Sequence, residues 1–417
     1  MSDANGPTDA PFIDDFRAPR LVPGQPPIAA DIDRWRAADR AARPTRLRRL
    51  RERMDKEGVD AYFGVRRENT RYLTGIELGD GEEKVAGNSG QFLVSGDEVI
   101  VLADSRYTLQ AREECSDARV EQVYNDLMNR WPELLESLGG PKRLAVESGF
   151  VSYGMWQRLA GASSGVELVP AEGWVEELRA TKEESELERI ASACAIADGA
   201  LERLLPNIIP GITEEELALQ LEWEMRTSGA EALAFDVACL FGERAALPHG
   251  SPGARPIAAG QVLLFDFGAQ VYGYRSDMTR TLFVGQPTER DLAIYQLVAD
   301  AQQAAFDALA AAIQSGDTVV GRDIDAVARD VIEKAGHGDH VGHGLGHGIG
   351  LATHELPSLG KSAAPVPLPS PTVFSVEPGV YLDGVTGVRI EDLVLFDVER
   401  KRLERLTAFP REATIVG

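Results

Sequence analysis

Six histidines occur in the chain, and five of them, His337, His340, His343, His347 and His354, fall in one short stretch; the sixth is His249. The run Gly342-His343-Gly344-Leu345-Gly346-His347-Gly348-Ile349-Gly350 leads into His354-Glu355. Three apolar segments nearby are each interrupted by an acid: LLFDFG by Asp266, VFSVEPGV by Glu377 and GVRIEDLVLF by Glu391. A fourth acid, Asp277, follows in YGYRSDMTRTLF. A carboxylate among apolar strand residues costs on the order of several kcal/mol unless charge and hydrogen bonds compensate it. Any one of them alone could be a satisfied or protonated core residue. Four are harder to account for that way, because the segments offer one obvious cation, Arg389, expected on the same strand face as Glu391. Two divalent cations would nearly balance four clustered anions. With one neutral imidazole, the set resembles a two-metal hydrolytic site whose ions lie roughly 3.5–4 Å apart.

The glycine run, if extended, points His343 and His347 the same way and leaves bare backbone on its other face, where neighbouring structure can approach closely. A flexible loop with incidental histidines is the alternative. The chain has no H-E-x-x-H, so a helical zinc-protease site is excluded. It has no G-x-S-x-G elbow either. His337 and His340 read as surface loop residues.

Strand periodicity positions the acids. Residues 262–268 form one strand burying Asp266, and a turn near 269–273 returns the chain as a second carrying Asp277, so hairpin pairing brings the two side by side. Asp277 shares its face with Arg275, Thr279 and Thr281. Upstream, residues 59–175 alternate strands and helices, with a hairpin turning on Ser95-Gly96-Asp97 and a helix around 126–138. Thr181 and Glu184 suggest a capping box opening a long helix. Thr213 with Glu216 and Thr288 with Asp291 open further helices, and 322–335 is amphipathic. In the Arg-rich stretch RPTRLRRLRERMDKEGVDAYFGV, Leu47, Leu50 and Met54 have helical spacing, which puts the arginines on a solvated face. Residues 1–30, rich in Pro, Asp, Gly and Ala, read as a flexible arm. The texture changes near 172–182. The expectation is an α+β protein with a smaller N-terminal α/β domain over 31–175 and a catalytic domain over 180–417.

A net charge of -23 argues against nucleic acid and anionic membranes as partners. No run reaches the ~20 apolar residues of a membrane span, and the acidic N-terminus is unlike a signal peptide. Three scattered cysteines are too few for a disulfide framework or a Cys-based zinc site, which points to the cytoplasm.

In these motifs the chain resembles the pita-bread metallopeptidases: aminopeptidase P, prolidase and their relatives, including methionine aminopeptidase and creatinase. LPHG at 247–250, D-F-G through S-D-M-T-R-T at 266–281, G-H-G-L-G-H-G-I-G-L through H-E at 342–355, S-V-E-P-G-V-Y at 375–381 and V-R-I-E-D at 388–392 occur in the family's order. The resemblance is strong from about 180 to 412 and weaker over 45–175, where DSRYTLQA looks like the small N-terminal domain of the proline-specific members. It implies a pita-bread catalytic domain behind a creatinase-like one. It also implies two metal ions, manganese before cobalt or zinc, with Asp266 chelating one and Asp277 and Glu391 bridging both. His347 and Glu377 complete the coordination of the second ion. His249, His343 and His354 match substrate-facing histidines and Arg389 an active-site arginine; Glu377 is the expected proton acceptor and shuttle.

The doubled G-H-G-L-G-H-G looks like the proline-specific branch. Creatinase lacks the metal-ligand set present here, and the non-enzymatic members, which bind peptides, typically lose ligands. The implied reaction is hydrolysis of the peptide bond before proline. The longer N-terminal arm tips the reading toward an Xaa-Pro aminopeptidase, with an Xaa-Pro dipeptidase (prolidase) as the alternative. An X-Pro peptide and a second copy of the chain, as a dimer or tetramer, are the implied partners.

Overall fold

A computed structural model describes residues 27–78, 89–124 and 126–417. It divides into two compact units, one spanning Asp33–Arg179 and the other joining residues 27–32 to Ala180–Gly417. Residues 1–26, most of the arm expected from the sequence, lie outside the described residues, and the first helix, α1, begins at Ala29 and ends at Glu57.

The first unit is a mixed six-stranded sheet of β1 (Ala61–Gly64), β2 (Gln91–Ser95), β3 (Val99–Ala103), β4 (Arg119–Gln122), β5 (Arg143–Val146) and β6 (Glu167–Pro170), in the order β4-β3-β2-β1-β5-β6. Helices α2 (Arg67–Thr74), α3 (Thr108–Glu114), α4 (Leu127–Ser137), α5 (Tyr153–Ala162) and α6 (Trp174–Ala180) complete it. The expected hairpin at Ser95-Gly96-Asp97 joins β2 to β3. Phe63 meets Trp131 edge-to-face at 5.0 Å in a core with Leu93, Ile100 and Leu144.

Helix α1 buries Leu47, Leu50 and Met54, as their spacing requires, yet it also buries Arg43 and Arg46. That corrects the solvated-face reading, which holds for Arg48 but not for those two. Arg46 donates to the Tyr72 carbonyl at 3.0 Å, and Arg43 to the Thr74 carbonyl at 2.8 Å. The last carbonyls of α2 lack intrahelical donors, so buried guanidiniums find acceptors there.

The second unit carries α7 (Glu184–Leu204), α8 (Glu214–Thr227), α9 (Glu289–Ser315) and α10 (Gly321–Lys334) against four sheets. A four-stranded sheet has the order β20-β12-β9-β8, from β8 (Ala238–Phe241), β9 (Gln261–Phe267), β12 (Met278–Val284) and β20 (Ile415–Val416). A five-stranded sheet, β14-β13-β15-β18-β19, contains β13 (Gly346–Gly348), β14 (Glu355–Leu359), β15 (Thr372–Val376), β18 (Asp392–Asp397) and β19 (Arg402–Arg405). Strands β16 (Gly379–Leu382) and β17 (Thr386–Arg389) pair alone, while β7 (Ala232–Leu233), β10 (Ala269–Val271) and β11 (Tyr274–Arg275) form the fourth sheet. Helices α9 and α10 supply Val298, Phe306, Leu309 and Ile324 to a core shared with Phe374, Val380 and Phe396. The α+β class holds.

The long helix α7 starts two residues later than Thr181 and Glu184 suggest. Its cap is Glu183, whose N–H donates to Glu186 at 2.8 Å, while Lys182 is engaged with Glu355 at 3.3 Å. The Thr213–Glu216 box and the Thr288 cap form as expected.

Candidate metal centre

Strands β9 and β12 pair antiparallel with Asp266 opposite Thr279 and Phe267 opposite Met278. Asp277 therefore sits one residue beyond the ladder, on the face shared by Thr279 and Asp266. Between them the chain leaves this sheet as β10 and β11, turning at Tyr272 and Gly273, so the return is a longer excursion than a simple turn. Strands β15 and β18 pair up to Val376 opposite Asp392. Glu377 and Glu391 are the next residues beyond that end, where the two backbones part. The Glu377 N–H goes to Leu345 O at 2.8 Å and the Glu391 N–H to Thr279 O at 3.1 Å.

Arg389 and Glu391 do not share a strand face, because the chain changes sheet between β17 and β18. Their side chains nevertheless meet on Thr279, whose hydroxyl accepts from Arg389 Nε at 2.8 Å and donates to Glu391 at 2.6 Å. Arg389 also pairs with Asp266 and donates to Tyr381 at 2.9 Å.

The glycine run is a strand only over 346–348, and it does bring backbone close. A Cβ at Gly346 would fall 1.9 Å from Ser375 O, and one at Gly348 would fall 2.1 Å from Leu356 O. His347, held between them, places Nε2 3.3 Å from Glu377 and 3.7 Å from Asp277. Donor atoms of Asp277, His347 and Glu391 all lie within 4.8 Å of one another, close enough to share an ion. His343 Nδ1 is 4.0 Å from Glu377, and its Nε2 lies 2.8 Å from the Tyr381 hydroxyl. The His354 ring stands 4.2 Å from that of His347 and is exposed.

All nine residues singled out by the motifs, including His249, line one cavity of about 940 Å³. His337 and His340 do not line it; their rings lie 5.6 Å apart around a short turn. Burial, and then repulsion from Glu391, Asp266 and Glu377, holds the Asp277 carboxyl well above the usual range. Burial also raises Glu377 and Glu391, and it lowers the imidazoles of His343 and His347. Carboxylates that resist charging beside neutral imidazoles form a donor set that a divalent cation would stabilise. One buried atom says the same: Asp266 Oδ1 has no hydrogen-bond partner. A buried, unpaired carboxylate oxygen is costly, and the oxygen-rich donors with one imidazole fit a hard divalent ion.

Several supporting residues are not evident from the sequence. Ser375 accepts from His347 N–H and donates to Glu377, each at 3.0 Å. Arg329, paired with Asp325 at 2.7 Å, donates to His343 O at 3.0 Å, and Asp325 accepts from Leu345 N–H. The i,i+4 spacing of that pair on α10 is the available signal. Tyr381 closes the S-V-E-P-G-V-Y motif, and burial pushes its hydroxyl up to about 12.

Fold and site together define a metal-dependent peptidase. The profile of metallopeptidase family M24 matches residues 188–397, and that of the creatinase/prolidase N-terminal domain matches 46–181. The chain belongs to metallopeptidase family M24. It is 33% identical over 367 residues to a Xaa-Pro dipeptidase of Pyrococcus furiosus, covering 88% of this chain and 99% of that one. The structure superposes on a Xaa-Pro dipeptidase from Bacillus anthracis with a TM-score of 0.80 and 33% identity, covering 89% of this chain and 99% of that one. An X-Pro aminopeptidase from Thermotoga maritima matches with a TM-score of 0.77 and 33% identity, over 89% and 99%. No helix among the described residues is long and apolar enough to cross a membrane.

Proposed function

We propose that this enzyme hydrolyses the peptide bond before proline with two divalent ions, and that dipeptides are its substrates. The observation that carries the reading is the convergence of Asp266, Asp277, His347, Glu377 and Glu391 on one cavity, with an unpaired buried oxygen on Asp266. Asp266 would hold one ion and His347 with Glu377 the other, Asp277 and Glu391 being shared. Manganese suits these donors best, with cobalt or zinc as alternatives. When bound, such a pair supplies Lewis acidity toward a water molecule and the scissile carbonyl.

The chain's own groups do the rest. Burial keeps His347 neutral, and with Nδ1 donating to Gly348 O at 3.1 Å its Nε2 lone pair faces Glu377 and Asp277. Glu377, raised by burial, is suited to take a proton from water and pass it to the departing nitrogen. His343 and His354 would stabilise negative charge on the carbonyl oxygen, and His249 would hold the substrate. Arg389 fixes Asp266 and Thr279 in place. An X-Pro amide carries no N–H, so this cavity need supply no acceptor for one.

The aminopeptidase reading rests on the N-terminal arm, and two further observations favour the dipeptidase. Named relatives at this level of similarity include Xaa-Pro dipeptidases of Pyrococcus furiosus and Pyrococcus horikoshii. The cavity is also lined by the exposed cation Lys361, whose ammonium lies 3.8 Å from Glu333, loosely enough to meet a free proline carboxylate instead. Rates on Ala-Pro, Gly-Pro and Ala-Pro-Ala with manganese test this. The dipeptides should show kcat/KM at least about tenfold higher. The opposite order would return the aminopeptidase, and no cleavage with manganese, cobalt or zinc would end both readings.

The reading extends to a homo-oligomer, dimer or tetramer, in the cytoplasm. Cys115, Cys194 and Cys239 are all free and buried, which suits a reducing compartment. Sedimentation of the purified chain as a monomer would remove the oligomer.

A further inference from the structure

Glu377 and Glu391 stand where β15 and β18 separate, one residue past the last pair of the ladder, Val376 and Asp392. Beyond that pair the ladder no longer sets their spacing, since each N–H goes to a different segment. A side chain from α9 closes the fork. Gln302, fully buried, sends its amide nitrogen to Val376 O at 3.0 Å, to Ile390 O at 3.2 Å and to Asp392 Oδ2 at 3.0 Å. The two carbonyls belong to the residues immediately before Glu377 and Glu391. One planar amide thus ties together the two backbones that deliver these carboxylates. Its own oxygen is held by Arg411 at 3.3 Å, and Asp392 is held by Arg280 at 2.7 Å and Thr407 at 2.6 Å. The clasp is therefore rigid on its far side too.

We propose that Gln302 is a positioning residue for the metal centre, setting the separation of Glu377 and Glu391 and so the affinity and order of the bound ions. Gln302 itself faces no substrate and lines no part of the cavity. Its effect passes through the two backbones. The inference rests on the metal-ligand reading above. Groups that orient ligands from behind typically change metal affinity by about 10–100-fold when removed.

The test is manganese titration of metal-stripped protein, followed by calorimetry and by the electron paramagnetic resonance of the bound ions. The samples are wild type, Q302M, which keeps the side chain's length, and Q302N, which keeps an amide but shortens its reach. Expected is a loss of manganese affinity of about tenfold or more in both variants, with a broadened resonance spectrum. Circular dichroism of the metal-free variants should match wild type. Should Q302M fail to fold, Q302N carries the test. Wild-type affinity and spectrum in either folded variant overturn the proposal while leaving the metal reading intact. If wild type itself binds none of manganese, cobalt and zinc, the metal reading and this inference fall together.

Discussion

Charging of the Asp277 carboxyl is opposed by complete burial and by three neighbouring acids. In metal-free protein D277N should therefore be more stable than wild type, by on the order of 1–2 kcal/mol, since a buried uncompensated acid is removed. With manganese the order should reverse, because wild type gains binding energy and D277N does not. Thermal melts of both proteins, stripped and loaded, check this; a metal-induced rise in D277N equal to that of wild type would contradict the ligand role. His354 makes a different case, being exposed and outside the tight donor group. H354Q should keep its metal and lose about 10²-fold in kcat, the loss expected when a donor to a developing oxyanion is removed. Metal analysis beside steady-state kinetics separates the two roles.

Strand β13 works only because glycines flank His347. G346A should destabilise the catalytic unit by about 1–3 kcal/mol, as overpacking does, and displace His347 enough to weaken metal binding. An unperturbed melt would show that the strand has slack. Helix α7 offers a second measurement away from the metal. Asp198 accepts from the backbone N–H groups of Ala408 and Phe409 at 2.8 and 2.9 Å, and burial lifts its carboxyl to about 6. The folded chain then holds this proton more tightly than the unfolded one. Its contribution consequently turns against folding as pH rises from about 4 to about 6, and is constant above. D198N should flatten the stability profile in that window, and an unchanged slope would contradict the shift.

For the molecule as a whole, the proposed ligand role of the four acids would make metal binding and folding one equilibrium. Manganese at about 100 times its dissociation constant should add about 2.7 kcal/mol for each site, raising the melting temperature by several degrees. Scanning calorimetry before and after chelation reads this directly.

The candidate ligand set was legible in the sequence because acids interrupting apolar strands need a counter-charge and the family's motifs mark the same residues; the structure brings them all to one cavity. Helix starts at Thr213 and Thr288 were legible too, since caps act over three residues. The sequence by itself singled out the residues that line the cavity and the excess of buried negative charge that calls for cations. It could not show that Arg43 and Arg46 are buried, because the acceptors that make this tolerable lie on another helix. Nor could it show the change of sheet between Arg389 and Asp392, or the clasp from Gln302. That clasp joins residues 74 to 90 positions apart, and only the packed chain decides which distant carbonyl meets which donor.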